Sequence, residues 1–75
     1  MSLSMRTTAE LVKIASAGAG FVIEARRRPT DELANIAAAA KRSGATVIFR
    51  NMTMRKMDAL TRIAAAGKGH VIFES

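Results

Sequence analysis

The chain has 75 residues, with 12 lysines and arginines against 6 acids, a net charge of +6 and a pI near 11.3. That length holds one domain, and 49% hydrophobic residues is too many for a disordered basic tail. No cysteine is present, which excludes disulfide scaffolds, thiolate zinc sites and cysteine nucleophiles.

In chain order, the first element is a helix. Thr7 and Glu10 have the spacing of a capping box, and Leu11, Ile14 and Ala15 start an apolar stripe that stops at Gly18. The run FVIEA follows, β-branched and aromatic and too short for a helix. Next, Thr30 follows Pro29 and precedes Asp31 and Glu32, acids that suit a helix N-terminus. Leu33, Ile36, Ala37 and Ala40 make the second stripe, Gly44 ends it, and TVIFR reads as the second strand. Leu60, Ile63 and Ala64 make the third, with Gly67 as its stop and HVIFE as the last strand.

These elements form three copies of one unit, covering residues 4–25, 27–50 and 53–74. An arginine recurs at Arg6, Arg28 and Arg55, and a leucine at Leu11, Leu33 and Leu60. Ile-Ala recurs at Ile14, Ile36 and Ile63, and Val-Ile at Val22, Val47 and Val71. A period of about 25 residues with alternating helix and strand predicts an α/β fold of three αβ repeats. The expected sheet is three-stranded and parallel, with right-handed crossovers stacking the helices mainly on one face. Such a minimal solenoid resembles leucine-rich-repeat proteins in architecture, though not in motif.

Alternation along the strands predicts two side-chain sets. One holds Val22, Val47, Phe49, Val71 and Phe73, and the other Phe21, Ile23, Thr46, Ile48, His70 and Ile72. Both are largely apolar, as in a sheet covered on both sides, yet equivalent helices share one side. Either the first helix crosses to the second face or another copy of the chain covers it. The expected answer is a homo-oligomer, most simply a dimer, with Phe21, Ile23, Ile48, His70 and Ile72 at the interface.

Arg6, Arg26, Arg27, Arg28, Arg50, Arg55 and Lys56 fall between strand ends and helix starts, which share one edge of a parallel layer. This arginine-rich rim is a candidate for binding nucleic acid or another polyanion, with Arg26, Arg27 and Arg28 as chief contacts. Exposed stacking aromatics and base-reading motifs are missing from the pattern.

Catalytic, metal and cofactor sites are not expected. Gly18-Ala19-Gly20 and Gly67-Lys68-Gly69 run from helix into strand, the reverse of a phosphate loop. His70 stands alone, and no nucleophile, base and orienting group assemble. The five methionines include Met52, Met54 and Met57 around the third helix start, expected to fill core gaps, with a partner-binding Met patch as the alternative. The longest uncharged run, Ile14 to Ile23, is far short of the roughly 20 residues of a membrane span. Lys13 breaks the one segment suited to a signal peptide, so a cytoplasmic location is expected. The expected function is a non-enzymatic binding and assembly module that self-associates through its apolar sheet face or its open repeat ends. Polyanion binding through the rim is the alternative.

Overall fold

The computed structural model describes residues 3–75. Six elements alternate: α1 (Thr8–Ser16), β1 (Phe21–Glu24), α2 (Thr30–Ser43), β2 (Val47–Arg50), α3 (Met57–Gly67) and β3 (Val71–Phe73). The sheet is parallel with order β1-β2-β3, so each helix between strands is a crossover connection.

Local chemistry accounts for the element boundaries. The Thr7 side chain accepts from the Glu10 backbone N–H at 3.2 Å, while the Glu10 carboxylate accepts from the Thr7 N–H at 3.1 Å. This completes the capping box at α1. Acids also occupy the first turns of α2 and α3, where the helix dipole favours them. Gly44 closes α2 in the left-handed conformation at φ +86°. The third helix differs from the expected pattern. Gly67 lies inside it and Lys68 takes the left-handed cap at φ +37°. The glycine is required by packing: a Cβ there would stand 2.8 Å from Val71 Cγ1 and 3.2 Å from Ala37 Cβ.

Register corrects the expected face assignment. Phe21, Val47 and Val71 sit side by side, as do Ile23, Phe49 and Phe73. These residues form one face, where Ile23, Val47 and Phe49 are fully buried beneath the helices. Val22, Ile48 and Ile72 form the other. The recurring Val-Ile pairs are therefore one position out of step in β1, and Phe21 and Ile23 belong to the core layer, not to an exposed interface. One residue of slip exchanges the two faces of a strand.

The core is Leu11, Ala15, Ile23, Leu33, Ile36, Ala37, Val47, Phe49, Met52 and Ile63 with the smaller alanines around them. Each large side chain buried there contributes about 1.5–3 kcal/mol. α1 lies beside α2, not across the sheet: Thr8 Oγ1 donates to the Glu32 carboxylate, and Ser43 Oγ donates to the Ala15 carbonyl. The second face of the sheet is left without a helix, its burial pattern alternating with the first.

Candidate functional site

The turn before each helix has the same geometry in all three places. The N–H of Arg6, Arg28 and Arg55 donates to the carbonyl three residues back, on Leu3, Ala25 and Met52, at 3.0, 3.0 and 3.1 Å. From this fixed start, Arg28 reaches back to the preceding turn. Its Nη1 donates to Thr8 Oγ1 at 2.9 Å and its Nη2 to the carbonyls of Ser4, at 3.0 Å, and Arg6. Arg55 repeats the act one unit later, donating to Thr30 Oγ1 at 3.2 Å and to the carbonyls of Ala25, at 2.6 Å, and Arg28. Both guanidiniums bond to several turn carbonyls at once, as a five-donor fork can and a lysine cannot. Arg55 Nε is buried without a partner of its own.

The remaining rim residues stand differently. Arg26 and Arg27 are exposed. Arg6 pairs with Glu10 at 3.7 Å, and Arg50 pairs with Glu74 across the sheet at 3.2 Å. Lys56 is exposed at the start of α3, where no side chain caps the helix. The sequence pattern thus brings all seven basic residues to one edge, but Arg28 and Arg55 are engaged in holding turns together. Arg26 and Arg27 lie between two hollows. One, of about 490 Å³, is lined by Ser4, Met5, Glu24 and Arg26–Arg28; the other, of about 420 Å³, is lined by Arg26–Arg28, Asn51, Thr53 and Arg55. Glu24 is the carboxylate of this region. The Arg26 backbone N–H, donating at 2.8 Å, holds its pKa below the ordinary 4.5. The Asn51 amide and the charges of Arg26 and Arg27 add to the lowering, against a smaller opposing effect of desolvation. Asn51 itself adopts φ +61°, a conformation asparagine tolerates better than most residues.

On the open face, Val22, Ile48 and Ile72 cross all three strands in register, with Ile72 47% exposed. His70 is half-buried beside them, its Nδ1 2.9 Å from the Ala45 carbonyl, a contact that requires the proton on Nδ1. Of the methionines, Met52 is fully buried, but Met5, Met54 and Met57 are exposed, so they do not fill core gaps.

Among the described residues, no group of three or more His, Asp or Glu side chains is placed to hold a metal ion, and no helix is long and apolar enough to cross a membrane. Comparison with protein-family models, curated proteins and solved structures finds no match to this chain.

Proposed function

We propose that the chain is a non-catalytic assembly module of the cytoplasm, a minimal solenoid of three αβ units with leucine-rich-repeat-like architecture, that self-associates. The observation that carries this reading is the uncovered sheet face. Val22, Ile48 and Ile72 form an apolar row on a sheet whose helices all serve the other side. A chain of this size buries only about 60% of its unfolded surface, so a further contact adds a large share of its stability. The solenoid's ends are equally open, because each unit buries its sides only against neighbouring units. Light scattering tests the reading: the wild type has a mass above that of one chain. A protein that stays monomeric at every concentration would overturn it.

A second reading is polyanion binding by Arg26 and Arg27, supported by the basic hollow they share with Asn51 and Thr53. Replacing both with Ser would abolish salt-sensitive binding to a short DNA duplex and leave assembly intact. Arg28 is left unchanged in that variant, since removing it would also unfasten the first turn.

A further inference from the structure

Resting on the reading that the chain self-associates, we infer that copies stack end to end, the outer side of α3 in one copy packing on the outer side of α1 in the next. The chain's own two internal boundaries use the same positions twice and leave the complementary halves of a third boundary unused.

Counting from Arg6, Arg28 and Arg55, equivalent residues can be compared unit by unit. The forward side of each helix carries Ala15, Ala37 and Ala64. Ala15 and Ala37 are fully buried, with Ser43 Oγ bonded to the Ala15 carbonyl and Gly67 packed close to Ala37, while Ala64 is exposed. The backward side carries Ile14, Ile36 and Ile63. Here Ile36 and Ile63 are fully buried, and Ile14 is half-exposed. Burial is therefore lost in the forward column only at the last unit, and in the backward column only at the first. An exposed Ala64 and a half-exposed Ile14 are the two halves of one contact that the chain already makes twice.

The arginines tell the same story. Arg28 and Arg55 fasten the turns of the units before them. Arg6 has the same turn geometry, but among the described residues its guanidinium meets only Glu10. At the other end, no described arginine reaches the turn from Met52 to Arg55. A second copy placed like a fourth unit brings its Arg6 to that turn. One position departs from the internal pattern. Met57 stands where Thr8 and Thr30 offer a hydroxyl to the incoming arginine, so the contact between copies is more apolar and weaker than those within the chain.

Such a contact joins two different surfaces, so it does not stop at a pair, and copies that follow one another as successive units produce a ladder of sizes. Pairing through the open sheet face instead uses the same surface twice and stops at a dimer. Each copy carries +6, so added salt screens repulsion and strengthens stacking, whereas salt weakens polyanion binding.

The test is sedimentation velocity on the full chain over a wide concentration range at two salt concentrations. Stacking predicts species beyond the dimer that grow with concentration and with salt. Ala64→Arg lowers the association constant by roughly tenfold or more, and Arg6→Ala by roughly threefold to tenfold. Ile72→Asp, on the sheet face, removes pairing through that face but leaves the end-to-end ladder in place. Circular dichroism confirms that each variant folds, and Thr61→Arg on the same outer side of α3 replaces Ala64→Arg if that protein does not. Association that survives Ala64→Arg but is lost in Ile72→Asp, or that stops at a dimer, overturns end-to-end stacking while the self-association reading stands. A wild type that is monomeric throughout overturns both.

Discussion

The two faces of the sheet are built from nearly the same side chains and meet opposite environments. Beneath the helices, Ile23, Val47 and Phe49 lose all contact with water, whereas Ile72 on the far side keeps 47% of its surface. Hydrophobicity alone does not separate them; the register of three short strands and the side on which the crossovers lie do. A similar division runs along the rim. Arg27 and Arg28 are neighbours in the chain, yet one points into solvent and the other is bonded to the turn of the previous unit. The shared lesson is that repetition places a residue, and what lies in the adjacent unit decides its role.

The largest test of this contrast sets Phe49 against Ile72. Phe49→Ala should cost about 3–5 kcal/mol through lost burial and a cavity. For a chain of this length, total stability is on the order of 4–11 kcal/mol, so the loss takes a large share of it. Ile72→Ser, measured below the concentration of association, should cost less than about 1 kcal/mol by urea denaturation. A loss above about 2 kcal/mol at Ile72 would mean the far face is covered within one chain.

Next in size is the rim. Arg55→Ala removes bonds to Thr30 and to the carbonyls of Ala25 and Arg28, and should cost about 1.5–3 kcal/mol. Arg27→Ala should stay within about 0.5 kcal/mol of the wild type. Equal thermal shifts for the two would erase the distinction between fastened and free arginines. Arg55→Lys sharpens it: the charge is kept, but one ammonium cannot reach the hydroxyl and both carbonyls, so most of the loss remains.

Smaller still is the pair Arg50–Glu74, whose exposed geometry at 3.2 Å makes it worth less than about 1 kcal/mol in a double-mutant cycle. The slightest expected effect is at Glu24. Its carboxyl is held below 4.5 when folded, so its contribution is present above that value and fades as pH falls through the lower folded one. A carboxyl resonance that titrates at or above 4.5 in the folded chain would contradict the bond from the Arg26 N–H.

Much of the architecture is legible in the sequence, because helical stripes, the Thr7–Glu10 box and the glycine stops are local signals. The parallel order β1-β2-β3 follows from alternation of the elements. The Arg50–Glu74 pairing is legible as well, being a matter of register between two nearby strands. The face of β1 is not. Matching Val-Ile pairs by eye hides the one-residue offset, since Phe21-Val-Ile and Val47-Ile-Phe are both continuous apolar runs. The roles within the rim are half legible. Arg28 and Arg55 occupy a column that recurs in every unit, as a structural position does, while Arg26 and Arg27 align with Ser4 and Met5 and with Thr53 and Met54. Recurrence was the available signal; charge density along the edge obscured it. The packing role of Gly67 is not legible either, since its close approach to Val71 and Ala37 exists only after the helix has docked.

The arginine contacts also have a direction. Those of Arg28 and Arg55 reach toward residues synthesised earlier, so the bonds to the Ser4 and Arg6 carbonyls form only after Arg28, 24 residues beyond Ser4, has been added. A chain made from its N-terminus therefore completes the turns before α1 and α2 only after the turn that follows each has been added.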